Sequence, residues 1–102
     1  MLKNTKVWVL ALSLCVVTGL GAKDLTHDDA LRLRQEGAIR PINELMQIAL
    51  ARYPKASVLE LELEQKHGQF IYEFEILTQS GQVREIKINA TTGEILKDKV
   101  DD

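Results

Sequence analysis

The chain has 102 residues, room for one domain, and carries 13 Lys and Arg against 15 Asp and Glu for a formal net charge of −2. That balance removes the basic patch expected of a nucleic-acid-binding protein. A single cysteine, Cys15, excludes a disulfide framework within the chain.

The first segment reads as a leader. Lys3 and Lys6 precede an apolar run from Val7 to Val17, and Thr18-Gly-Leu-Gly-Ala22 is small and weakly polar. A basic start, a short apolar stretch and a small-residue end make a secretory signal over residues 1–22, cut after Gly21 or Ala22. The run falls short of the roughly twenty apolar residues a membrane-spanning anchor needs. Cys15 follows Leu14 inside the apolar run, where a lipoprotein signal would place a small residue. From Lys23 onward there is no cysteine, and eleven Lys and Arg face fifteen Asp and Glu, a formal charge of −4. The exported product must therefore be held by core packing alone.

Two helices are predicted next. Thr26-His-Asp-Asp29 has the spacing of a capping box, with Asp in place of the usual Glu, and Gly37 is placed to stop the helix. Leu31 and Leu33 lie two apart, so this helix has a thin apolar face. The second helix starts with Pro41 at its first position and carries Ile42, Leu45, Met46, Ala49 and Tyr53 at helical spacing. Pro54 ends it near Arg52 or Tyr53. Residues 23–38 form the short helix and lead-in, and residues 39–97 the main domain.

The remainder alternates at period two. Val58-Leu-Glu-Leu-Glu-Leu-Glu64, Phe70-Ile-Tyr-Glu-Phe-Glu-Ile-Leu77 and Val83-Arg-Glu-Ile-Lys-Ile-Asn89 are each half-buried strands by pattern. Loops 65–69 and 78–82, around Gly68 and Gly81, make antiparallel hairpins. Ala90-Thr-Thr-Gly93 leads to a short fourth strand at residues 94–97, followed by a charged tail at 98–102. The expected fold is α+β, one main helix plus a short N-terminal helix packed on one face of a three- to four-stranded antiparallel meander. Leu59, Leu61, Leu63, Tyr72, Phe74, Ile76, Ile86 and Ile88 are assigned to the covered face. Glu60, Glu62, Glu64, Glu73, Glu75, Glu85 and Lys87 fall on the other, together with Ile71, Leu77 and Val83.

No catalytic constellation is legible. His27 sits in a helix cap and His67 in a hairpin loop, neither with a patterned nucleophile or carboxylate. Two distant histidines match no zinc spacing, and Gly68, Gly81 and Gly93 stand singly as turn residues. No cofactor or metal site is expected. Asn89-Ala-Thr91 has the form of a glycosylation acceptor, but Asn89 is better placed to stabilise a turn through its side chain. The candidate partner-binding face is the acidic one: Glu60, Glu62, Glu64, Ile71, Glu73, Glu75, Glu85 and Lys87. Six glutamates sharing a face are mutually repulsive, so they would suit a basic surface or, alternatively, a divalent cation. An open sheet edge offers a further route to a partner or a dimer, which Lys97 and Lys99 would guard on the last strand.

The order Pro41-Ile-Asn-Glu-Leu, Tyr53-Pro54, Val58-Leu-Glu-Leu-Glu-Leu, Tyr72-Glu-Phe-Glu-Ile and Ile88-Asn-Ala-Thr-Thr-Gly-Glu-Ile-Leu96 resembles the PepSY domain family. The ending at Ile88 to Leu96 looks like that family's strand-turn-strand, with Asn89 where Asp is usual. The resemblance spans about Ile39 to Lys97. It implies a non-enzymatic module of the kind found in the propeptides of thermolysin-like metallopeptidases and in small exported proteins, with a role in restraining peptidases or modulating envelope proteins. The expectation is thus a periplasmic or secreted bacterial protein that binds an envelope protein such as a peptidase, with no membrane span once the signal is removed. It would act as a monomer or as a dimer through a sheet edge. The alternative is a small periplasmic ligand or divalent-cation sensor using the glutamate-rich face.

Overall fold

A computed structural model describes residues 22–101. The expected signal at residues 1–22 lies, apart from Ala22, outside the described residues. The elements in order are β1 (Lys23–Asp24), α1 (His27–Gln35), α2 (Ile42–Ala51), β2 (Ser57–Lys66), β3 (Gln69–Leu77), β4 (Val83–Asn89) and β5 (Ile95–Val100). The class is α+β, and the sheet is a continuous antiparallel meander in the order β1-β2-β3-β4-β5. It has five strands where three or four were expected. The extra one, β1, is two polar residues opposite Gln65 and Glu64, too short to leave a periodic trace.

Helix α1 is capped as its sequence requires. The Thr26 hydroxyl accepts from the Asp29 N–H at 3.1 Å, and the Thr26 N–H donates to the Asp29 carboxylate at 2.9 Å. At the other end Gly37 takes φ +80°, while the N–H groups of Gly37 and Ala38 reach back to the carbonyls of Arg34 and Leu33. These two bonds form a Schellman stop, for which a residue without Cβ is favoured. Helix α2 begins one residue later than expected. Pro41 is its N-cap at ψ 140°, and its carbonyl accepts from Glu44 and Leu45. The proline ring therefore sets the entry to the helix from outside its first turn.

Leu45 and Ala49 of α2 are buried against Phe74, Ile76, Ile86 and Ile88, all of which are shielded from solvent. Leu63 and Tyr72 continue the core toward α1, which contributes Leu33. Two expected inward residues are not covered: Leu61 keeps the inward phase but stays 39% exposed, and Leu59 lies on a bulge. The β2–β3 register shifts between Val58 and Glu60, so Leu59 is an extra residue, 51% exposed. A bulge of one residue reverses the side-chain phase. Val58 consequently packs on the core in place of Leu59.

Hairpin β2–β3 is tighter than expected. Lys66 pairs with Gln69, leaving only His67 and Gly68 in the loop, at φ +51° and +77°. Two consecutive positive φ values are the signature of a type I′ turn, whose twist matches that of the flanking strands. Strand β5 in turn runs to Val100, through residues expected in the charged tail. No helix among the described residues is long and apolar enough to cross a membrane.

Candidate partner-binding site

The register assembles the predicted acidic face in transverse rows. Glu60, Glu75, Glu85 and Lys99 form one, and Glu62, Glu73, Lys87 and Lys97 the next. Glu64, Ile71 and Asn89 form the third. All eight nominated residues therefore share a face, but they are not equally available. Glu64 and Ile71 are buried, while Glu73, Glu75, Glu85 and Lys87 are half-buried. Ile71 cannot supply the exposed apolar contact expected of it, because it is closed in between Glu64 and Asn89. Only Glu60 and Glu62, both on β2, are exposed.

The interior of this face is partly self-neutralising. Lys87 places its Nζ 3.5 Å from Glu64 and 3.9 Å from Glu73, and Lys99 lies 3.8 Å from Glu85. Four acids, Glu64, Glu73, Glu75 and Glu85, face these two lysines, so two remain in excess. Loss of hydration and the adjacent Glu85 carboxyl push Glu73 up to about 7. Glu75 is also raised, chiefly by its hydrogen bond with Asp101. Among the described residues no group of three or more His, Cys, Asp or Glu is arranged to hold a metal ion.

On the opposite face lies a feature the sequence did not disclose. Helix α2 covers the β3–β4 side of the sheet, while α1 stands off β2 and leaves a groove of about 550 Å³. Leu25, Leu31, Ile42, Leu61 and Tyr72 line it, with Asp24, His27, Arg34 and Glu62 among the polar residues around them. Leu31 is 46% and Leu61 39% exposed, large apolar side chains left wet beside a packed core. The two-residue spacing of Leu31 and Leu33 was the available signal: on a helix both cannot face the same way. Leu33 goes to the core and Leu31 to the groove.

A second cluster, also unforeseen, fastens α2 to the sheet. Asp98 accepts from the Tyr53 hydroxyl at 2.7 Å, from Arg52 at 3.0 Å and from Arg84 at 2.8 Å. The Arg84 guanidinium also lies 5.1 Å from the centre of the Tyr53 ring. Burial draws the Asp98 carboxyl upward, but the three donors outweigh it and hold it below its ordinary value. The partners are all internal, so this cluster is a clamp.

The turn between β4 and β5 completes the frame. Asn89 Oδ1 accepts from the N–H groups of Thr91 and Thr92 at 2.9 and 3.0 Å, and the Asn89 carbonyl accepts from Gly93. This side-chain turn is the role expected of Asn89. Arg40 docks on the turn by donating to the Thr91 carbonyl at 3.0 Å and pairs with Glu44 of α2.

Residues 41–99 match the profile of PepSY, the peptidase propeptide and YPEB domain. The chain belongs to the PepSY family. It is also 35% identical over 75 residues to an uncharacterized protein, YkoJ, of Bacillus subtilis (strain 168). That alignment takes in 74% of this chain and 44% of YkoJ, so the chain spans less than half the length of the relative it matches. No solved structure matches. The matched segment begins at the cap of α2 and ends within β5, and so holds the helix, the four long strands and the Asp98 clamp, but not α1. The groove is thus formed where the matched segment meets the residues that precede it.

Proposed function

We propose that this protein is an exported, non-catalytic PepSY module that binds another protein of the bacterial envelope and modulates it, with a peptidase as the target class. Membership of the family supports a regulatory or propeptide-like role, and the groove carries the reading to a place in the fold. It leaves two large leucines exposed above a packed core, beside Glu60 and Glu62, the exposed acids of the predicted face. A protein surface with apolar and basic side chains would cover both. The divalent-cation reading of the glutamate-rich face is weaker, since Lys87 and Lys99 already sit among Glu64, Glu73 and Glu85.

The test is inhibition. The exported protein is added at increasing ratio to metallopeptidases purified from the same envelope, and peptide hydrolysis is followed. Stoichiometric loss of hydrolysis, relieved by Leu61→Asp, is expected. Unchanged hydrolysis at saturating protein, with every peptidase of that envelope, would remove the peptidase as target.

A further inference from the structure

The edge of β2 is open along most of its length. β1 pairs only with Gln65 and Glu64, and the Leu25 N–H makes one more bond, to the Leu63 carbonyl at 2.9 Å. At Thr26 the chain turns into α1, and no described residue pairs with the edge from Ser57 to Glu62. Backbone groups on one strand point to alternate sides. Because the Leu63 carbonyl faces β1, the N–H and C=O of Leu61 face the same way, outward and with no partner among the described residues. The bulge at Leu59 ends the regular edge beyond Glu60.

This edge differs from the other one. On β5 the exposed lysines Lys97 and Lys99 flank Asp98, whose carboxylate is held by Tyr53, Arg52 and Arg84. On β2 the exposed acids Glu60 and Glu62 flank Leu61, whose side chain opens into the groove. A residue placed opposite Leu61 would project over the groove toward Leu61 and Leu31. Its two neighbours would project to the other face beside Glu60 and Glu62.

We propose that the free edge of β2 receives a short extended segment of a partner protein, with an apolar residue between two Lys or Arg, added as an antiparallel strand in line with β1. This assignment rests on the binding-module reading above and specifies how that module would engage its partner. The three observations are separate: the N–H and C=O of Leu61 unpaired among the described residues, an apolar groove beneath them and two exposed carboxylates beside them. Together they prescribe hydrogen bonds, an anchor pocket and the sign of the flanking charge, as strand addition requires.

A second copy of the chain does not meet the prescription. Two β2 edges laid together would oppose Glu60 and Glu62 of one copy to those of the other, which is unfavourable. The stretch Lys97-Asp98-Lys99 puts a carboxylate where the apolar residue belongs. Arg32-Leu33-Arg34 has the right alternation but is folded into α1 with Leu33 in the core. The occupant is therefore a different protein.

The experiment uses the exported protein, labelled for amide exchange by NMR, and three synthetic peptides. The first is acetyl-Thr-Val-Lys-Ile-Arg-Val-Thr-amide, the second carries Glu at the two basic positions, and the third carries an N-methyl group on its central isoleucine, whose N–H would face Leu61. The first peptide is expected to protect the Leu61 amide and to shift resonances of Glu60, Glu62 and Leu31. The acidic and N-methylated peptides are expected to bind at least about tenfold more weakly. Glu60→Lys with Glu62→Lys should invert the preference between the first two peptides while leaving the melting temperature within a few degrees, since both side chains are exposed.

Equal binding of all three peptides, protection at Lys97 to Val100 instead of Leu61, or no binding of the first peptide would each overturn strand addition. The peptidase assay is read independently. Inhibition that survives a failed peptide experiment would leave the modulator standing without this mode, and the reverse result would leave the edge site without a peptidase target.

Discussion

Tyr53 donates its hydroxyl to Asp98 at 2.7 Å and so ties the end of α2 to the last strand, forty-five residues further along the chain. Arg84 of β4 closes the arrangement from below, bonded to the same carboxylate and stacked near the tyrosine ring. The side chain of Asp98 is only 10% exposed. Removing it would leave two arginines and a phenol facing a gap.

Asp98→Ala is therefore expected to cost about 2–3 kcal/mol, since Arg84 and the Tyr53 hydroxyl lose a largely buried carboxylate acceptor. Tyr53→Phe should cost about 1 kcal/mol, as it deletes one hydrogen bond and keeps the ring. Chemical denaturation of both variants against the parent protein checks the ranking. The pH dependence follows from the lowered carboxyl. Its stabilising effect is present above its unfolded value, near 3.8, and is lost as pH falls through the lower folded value. Asp98→Asn should flatten the acid limb of the stability curve.

Glu73 has the opposite sign in a different window. In the unfolded chain it titrates near 4.5 and in the folded protein at about 7. Between those values the folded state holds the proton more tightly, so this residue's contribution to stability falls as pH rises from 4.5 to 7 and stays low above. The full shift would correspond to ~3 kcal/mol. With the carboxyl 27% exposed and partly screened, about 1 kcal/mol is the expected effect. Glu73→Gln should accordingly raise the melting temperature at pH 8 by roughly 4–8 °C and change it little at pH 4. A carboxyl-carbon NMR titration that placed Glu73 near 4.5 would contradict the assignment.

Turn chemistry separates two glycines that look alike in the sequence. Gly68 and Gly93 both take positive φ, at +77° and +83°. A Cβ on Gly68 would meet nothing within 4 Å, whereas one on Gly93 would lie 3.1 Å from Cδ1 of Ile48 on α2. Alanine at either position carries the left-handed backbone cost of about 1–2 kcal/mol. Gly93→Ala should cost roughly 1 kcal/mol more, from the crowding of Ile48. Thermal melts of the two variants side by side check the difference, and equal losses would mean that α2 yields without strain.

The core was legible for a physical reason, and so were the omissions. Leu63, Tyr72, Phe74, Ile76, Ile86 and Ile88 alternate with charged residues, and period two on a sheet leaves little choice of face. The bulge at Leu59 was hidden because Val58 and Leu59 are both apolar, so the pattern reads equally well in either phase. β1 was hidden by its length. Asp98 reads as part of a charged tail because its partners come from α2 and β4, and no local pattern announces a contact across such a separation. The acidic face was visible as composition, but its division into a partly neutralised interior and an exposed rim at Glu60 and Glu62 depends on where Lys87 and Lys99 fall in the register. The groove depends on the placement of α1, whose packing its weak apolar face only hinted at.

The groove leucines allow stability and binding to be tested apart. Phe74 is fully enclosed, and Phe74→Ala should cost about 3–5 kcal/mol through the cavity it leaves. Leu59 and Leu61 lie at 51% and 39% exposure, so replacement by Ser should change stability by about 1 kcal/mol or less. Their effect on partner binding should be the reverse. Leu61→Ser removes the floor of the groove under the free edge and is expected to weaken partner binding about tenfold or more, while Leu59→Ser, on the bulge outside the regular edge, should weaken it less. Calorimetric titration of each variant with the same partner, alongside denaturation of each, gives both quantities. A Leu61→Ser protein that folds as the parent does and binds as tightly would move the partner's footprint away from β2.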